Sequence, residues 1–184
     1  MKLNKTQKKE LLRIARASAE SLVRDGKVAE FKITDEGLKE WKGAFVTLSK
    51  NGKLRGCIGQ IIASEKPLWR VVSEMAMAAC CEDSRFDPVA VDELVELHYE
   101  VSVLSAPTRI ADWKKIELGK HGVIIRKGTC AGLFLPQVAT ETGWGRKKFL
   151  EELCKQKAGL GKDCYKDSEA VIEVFEAEVF GEEN

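Results

Sequence analysis

An α+β fold in two lobes is predicted, with a mainly antiparallel sheet flanked by helices and a smaller α+β lobe inserted into the larger. Three observations carry this. Hairpins and helices are mixed without the regular strand–helix alternation of a parallel sheet. An Asn51-Gly52 turn between two runs of strand character marks one hairpin. From about residue 112 the texture changes, with Gly119, Gly122, Gly128, Gly132, Gly143 and Gly145 punctuating short elements. The larger lobe is read as residues 1–111 and 167–184, containing both termini. The smaller is read as residues 112–166, a hairpin plus a helix.

Each element follows from local pattern. Residues 5–24 form an amphipathic helix, because Leu11, Leu12, Ala15, Ala19, Leu22 and Val23 recur at three- and four-residue steps. Asn4 and Gln7 stand at capping-box spacing and Gly26 supplies the stop. Residues 27–42 are a connector with a turn at Asp35-Glu36-Gly37 and anchors at Phe31, Ile33, Leu38 and Trp41. Ala44 to Ser49 and Leu54 to Ile62 are the hairpin strands. A two-residue loop sets Lys50 opposite Lys53, Leu48 opposite Arg55 and Val46 opposite Cys57. That register puts Arg55, Cys57 and Gly59 on one face with Val46 and Leu48. Pro67 opens a second helix, capped by Ser64, whose stripe is Leu68, Val72, Met75, Ala76 and Ala79. It ends near Cys81, before the turn-rich Asp83-Ser84-Arg85-Phe86-Asp87-Pro88. Val89 to Leu94 is a connector or helical turn. Leu97 to Leu104 alternates as a strand, with Leu97, Tyr99, Val101 and Val103 on one side and His98, Glu100, Ser102 and Leu104 on the other. Val123 to Arg126 and Ala131 to Leu135 form a hairpin around Lys127-Gly128. Trp144 to Lys157 is a helix with Phe149, Leu150, Leu153 and Cys154 inward. Ala170 to Phe180 is the final strand.

Composition excludes several classes. With 44% hydrophobic and 32% charged residues among 184, the chain is neither a disordered tail nor a collagen-like or bare coiled-coil sequence. A net charge of +1 argues against a chain built to coat nucleic acid. No run of 18 apolar residues is present to span a bilayer. The basic N-terminus has no apolar stretch behind it, so it does not read as a secretory signal. The six cysteines (Cys57, Cys80, Cys81, Cys130, Cys154 and Cys164) form no C-x-x-C pair, and His98 and His121 are too few for common zinc patterns. The expectation is free thiols in a reducing cytoplasm, and no metal site.

Chemistry is expected where polar groups interrupt apolar patterning. Gly56 and Gly59 weaken their strand by about 0.5–1 kcal/mol each, which suits a position that a ligand or another backbone approaches closely. On a regular strand Arg55 and Cys57 share a face. The functional reading is a reactive or ligand-binding cysteine beside an anion-holding arginine; the structural alternative is a core cysteine with glycines that let a helix pack tightly. Glu100 is a carboxylate in an apolar strand, either on a solvated face or paired. Asp83 and Arg85 follow a helix, so they either line a cleft or simply hold the turn. His121, in a glycine-rich loop, is either a general base or simply a surface residue. The Arg146-Lys147-Lys148 group is a solvated helix face.

The run Leu54-Arg55-Gly56-Cys57-Ile58-Gly59 resembles the hallmark motif of the AMMECR domain family, also met as AmmeMemoRadiSam system protein A. Further matching blocks follow in order: Gly43 to Leu48, Asp83-Ser84-Arg85-Phe86 with Pro88, Glu100 to Ser105, Gly119-Lys120-His121-Gly122, Leu133 to Ala139, Phe149-Leu150, and Lys157-Ala158-Gly159-Leu160. Tyr165 stands where a tryptophan is expected. The resemblance implies two α+β lobes forming one AMMECR domain, with a cleft between them lined by the motif blocks. It also implies company with Memo-type and radical S-adenosylmethionine proteins, and names no cofactor. The resulting expectation is an enzyme or enzyme component with Cys57 as nucleophile or redox thiol and Arg55 as anion holder. Glu100 or His121 would accept protons, and Gly56, Gly59, Asp83 and Arg85 would contact substrate. The alternative is a non-catalytic adaptor using the same cleft for a peptide, a nucleotide or a protein.

Overall fold

The structure, a computed structural model, describes residues 2–61 and 66–182. Two expected features, the strand end at Ile62 and the Ser64 helix cap, lie outside the described residues. The fold is α+β with antiparallel strand pairing, and the chain divides into two compact units. One holds residues 1–104 and 178–184; the other holds residues 105–177.

In the first unit, helix α1 (Lys5–Asp25) opens with the predicted box. The Asn4 and Gln7 backbone amides each donate to the other's side chain at 2.9 Å. It closes at Gly26, whose φ of 65° is the left-handed conformation that glycine adopts without cost. Its buried face carries Leu11, Ile14, Ala15, Ser18 and Ala19. In the connector Leu38 is buried, while Phe31 and Ile33 pack part-buried against the core. Trp41, expected as an anchor, is instead 62% exposed: Leu38 takes the buried position and the indole stays in solvent.

Strands β1 (Ala44–Lys50) and β2 (Lys53–Gln60) join through Asn51 and Gly52, both at positive φ as a primed hairpin turn requires. Lys50 pairs with Lys53 and Ser49 with Leu54. Arg55 is then an extra residue, a β-bulge, so Leu48 pairs with Gly56, Thr47 with Cys57 and Val46 with Ile58. The expected register of Leu48 with Arg55 and Val46 with Cys57 is therefore wrong from the bulge onward. One inserted residue exchanges the faces of all that follow.

Helix α2 (Leu68–Cys81) starts after Pro67 and lies across β1 and β2. Gly56 permits this approach, since a Cβ there would fall 2.2 Å from the carbonyl oxygen of Ala79. After a 3₁₀ segment, Val91–Glu96, strand β3 (Leu97–Leu104) pairs antiparallel with β1, Thr47 facing Glu100. The order in this unit is β2-β1-β3, and Glu182 at the C-terminal end continues beside β3 by donating its amide to Tyr99. Val46, Leu48, Leu68, Tyr99 and Val101 fill the core with the inner face of α1. Each such side chain contributes about 1.5–3 kcal/mol by leaving water.

The second unit contains β4 (Thr108–Ile110), β5 (His121–Lys127), β6 (Cys130–Phe134), α3 (Pro136–Thr142), α4 (Arg146–Glu152) and the first part of β7 (Val171–Gly181). Within it β7 pairs with β4 and β5, and β5 pairs with β6, all antiparallel. The helix expected over 144–157 begins at Arg146 and widens after Glu152 into a π-helical turn, Leu153–Lys157. Phe149, Leu150, Leu153 and Cys154 face the core as predicted. The expectation of six free thiols is overturned, because Cys154 and Cys164 form a disulfide. Their spacing in sequence shows no pairing signal. The chain after the π turn doubles back and sets their Cα atoms 6.0 Å apart.

Candidate functional site

Seven of the eight predicted site residues fall in the first unit. The bulge separates two of them. Arg55 and Gly56 both turn to the side of α2, whereas Cys57 points to the opposite face of the sheet. The expected sharing of one face by Arg55 and Cys57 does not hold.

Arg55 is committed to the chain itself. Its Nε and Nη2 donate to the two carboxylate oxygens of Glu93 at 3.0 and 2.8 Å. Its Nη1 donates to the carbonyl of Asp87 at 3.0 Å and its Nη2 to that of Pro88 at 3.4 Å. Glu93 also accepts the Ala90 amide at 3.0 Å. The guanidinium first, and that amide second, hold the Glu93 carboxyl down to about 2. The ring of Phe86 lies 6.0 Å from the Arg55 guanidinium and 5.5 Å from that of Arg85.

Asp83 is buried, and its carboxylate accepts from Arg85 Nε at 2.9 Å and Nη2 at 2.7 Å. It also accepts from the backbone amide of Cys57 at 2.8 Å. Arg85 hydrogen bonding first, opposed by burial and aided by the Cys57 amide, holds the Asp83 carboxyl far below the usual carboxylate range. Arg85 Nη2 reaches the Cys57 carbonyl at 3.4 Å. The Asp83–Arg85 pair therefore holds the turn and grips both backbone groups of Cys57 on the outer side of β2.

The Cys57 side chain is half-buried, and its Sγ accepts a hydrogen bond from Thr47 Oγ1 at 3.3 Å. Thr47 is in register with Cys57 on one side and Glu100 on the other, so the three form one row across the sheet. Two strand spacings separate the ends of that row, about 10 Å. The neighbouring rows are Gly59–Phe45–Ser102 and, on the other side, Ser49–His98. Gly59 lies against the Phe45 ring, which a Cβ there would meet at 2.2 Å. This face, opposite the helices, is polar and part-exposed around the thiol. It can present a sulfur with a hydroxyl aimed at it and a carboxylate one strand further on.

His121 belongs to the second unit, at the start of β5, where its Nδ1 accepts the Glu117 amide at 3.1 Å. The other thiols offer less chemistry: Cys80 is buried, and burial pushes it up to about 12. Among the described residues no group of three or more His, Cys, Asp and Glu side chains is placed to hold a metal ion. Likewise, among them, no helix is long and apolar enough to cross a membrane. Sequence reasoning missed Thr47 and Glu93. Thr47 stands in the Gly43 to Leu48 block that resembles the family, but nothing within that block singles it out. Glu93 had one, since it stands three residues after Ala90 where a helical segment starts and a carboxylate can accept a free amide.

A two-unit α+β domain, with a motif built on a glycine-bounded strand and secured by an Asp–Arg turn, is the class these features define. The AMMECR1 family model matches residues 12–180, and the chain belongs to that family. It is 39% identical over 190 residues to a protein of Methanothermobacter thermautotrophicus, covering 98% of this chain and 97% of that one. A protein of Methanopyrus kandleri is 41% identical over 182 residues, covering 94% and 87%. The crystal structure of an uncharacterized protein from Pyrococcus horikoshii is similar, with a TM-score of 0.90 and 38% identity over 100% of this chain and 95% of that one.

Proposed function

We propose that the sheet face bearing Cys57, Thr47 and Glu100 is a working surface and that the protein acts there as an enzyme or enzyme component. Cys57 is the nucleophile. Its sulfur forms a bond to an electrophilic carbon of the substrate as the leaving group departs with the bonding pair. The thiol proton passes through solvent on this part-exposed face to the Glu100 carboxylate, and the Thr47 hydroxyl, which donates to the sulfur, stabilises the thiolate left behind. Glu100 is preferred to His121 for this role because it shares a row with the sulfur. The observation that carries the reading is the fixing of Cys57 at three points: amide by Asp83, carbonyl by Arg85, sulfur by Thr47. A reacting atom needs that degree of placement. The test is alkylation of the native protein by iodoacetamide, followed peptide by peptide by mass spectrometry. Cys57 should react faster than free cysteine, and Thr47→Val should slow it. A Cys57 rate no greater than that of the exposed Cys81 would end the catalytic reading.

One observation favours a second reading. The Arg55 charge is taken up by Glu93 and two backbone carbonyls, which leaves a surface suited to recognition rather than to holding an anionic substrate. On this reading the protein is an adaptor, and Memo-type and radical S-adenosylmethionine proteins are the proposed company. Capture of either that survives Cys57→Ser would support it.

A further inference from the structure

A second surface of the first unit takes no part in that chemistry. Lys5, Lys8, Lys9, Leu12 and Arg13 of α1, with Phe180 of β7, line a groove of about 420 Å³. Leu12 and Phe180 form its floor, part-buried and packed on the core below. Its banks are cationic. Lys5, Lys9 and Arg13 recur at four-residue steps along one side of the helix, and Lys8 stands 5.6 Å from the Phe180 ring.

The charges are unevenly spent. Lys8 pairs with Glu178 at 2.7 Å, and Arg13 pairs through two nitrogens with Glu10. Glu182, at the groove's end, gives both carboxylate oxygens to Arg16. Lys5 and Lys9 have no hydrogen-bond or ion-pair partner among the described residues. The groove thus offers an apolar floor beside two uncompensated ammonium groups. We propose that it docks an acidic peptide segment of a partner protein, one apolar side chain seated between Leu12 and Phe180 and its carboxylates on Lys5 and Lys9. Charge complementarity selects the acidic segment. The apolar floor selects a peptide over a nucleic acid, whose backbone would use the cations and leave the floor idle.

The test is fluorescence anisotropy with the full chain and a fluorescein-labelled hexapeptide, Glu-Glu-Leu-Phe-Glu-Glu, at low salt. Saturable binding is expected, weakened about tenfold or more by Lys5→Glu with Lys9→Glu, and comparably by replacing Leu-Phe with Gly-Gly in the probe. Both lysines are exposed, so an unchanged melting temperature in the double variant separates lost binding from lost folding. Equal binding by wild type and the double variant overturns the proposal. So does a short oligothymidylate that binds as tightly as the peptide. Sedimentation showing a wild-type dimer that the double variant dissolves also overturns it, since the groove would then hold a second copy.

Discussion

Reduction of the Cys154–Cys164 disulfide isolates one covalent contribution to the second unit without removing an atom from its core. The two cysteines are 10 residues apart in sequence. Closing a loop of that length removes about 2.7 kcal/mol of denatured-state entropy at 25 °C on the chain-entropy account. That energy corresponds to about a hundredfold change in an opening equilibrium. The bridge ties the π-helical turn to the segment bearing Tyr165, whose ring packs edge-on against Trp113 at 5.2 Å between centroids. Its loss should therefore loosen the whole cluster beneath β5. The assay is amide hydrogen exchange with and without a phosphine reductant, read at Val123, Ile124 and Ile125. Protection there should fall by about two decades. Thiol titration of the denatured, unreduced protein should find Cys57, Cys80, Cys81 and Cys130 alone. Unchanged exchange on reduction, or six reactive thiols before it, would refute the reasoning.

Two further outcomes follow from the first unit. Gly56→Ala should lower stability by about 1–3 kcal/mol, read as a fall in the urea midpoint, because the new methyl meets the Ala79 backbone and neither can rotate away; an unmoved midpoint would deny the close approach. Glu93 is held at about 2 in the folded protein against an ordinary 4.5. Its folded pKa is depressed, so its contribution is complete above about 4.5 and drains as pH falls toward 2. Melting temperatures taken across that window should fall less steeply for Glu93→Gln than for wild type, and identical slopes would show that the Arg55 pair contributes nothing.

Much of the fold was legible because its signals are local. The Asn4–Gln7 box, the Gly26 stop, the Asn51-Gly52 turn and the alternation from Leu97 to Leu104 each lie within a few residues of what they determine. The features that escaped are set at long range or are too short to carry a period. Three-residue β4 shows no alternation. Seven-residue α3 left only one sign, the proline at its first position. The bulge at Arg55 depends on Glu93 and on the Asp87 and Pro88 carbonyls, more than thirty residues away, so no pattern within the hairpin announces it. That residue altered the site reading most, because it moved Arg55 away from Cys57 and left Thr47 as the sulfur's partner. Cys154 was rightly placed inward, but its bond to Cys164 needed the return path of the chain, which sequence spacing did not disclose. Asp83 and Arg85 are expected either to line a cleft or to hold their own turn; they do hold the turn, and that they also hold β2 depends on how α2 delivers them.

The grip of Asp83 and Arg85 on Cys57 also bears on how the protein meets other chains. β2 ends the β2-β1-β3 order, and a border strand ordinarily offers its spare amides and carbonyls as a template on which a foreign strand can zip. Here the middle rung is already occupied, its amide by a carboxylate and its carbonyl by a guanidinium, both from the same molecule. A strand arriving at that rung would have to displace two charge-assisted bonds before making its first, so sheet-to-sheet polymerisation finds no foothold there.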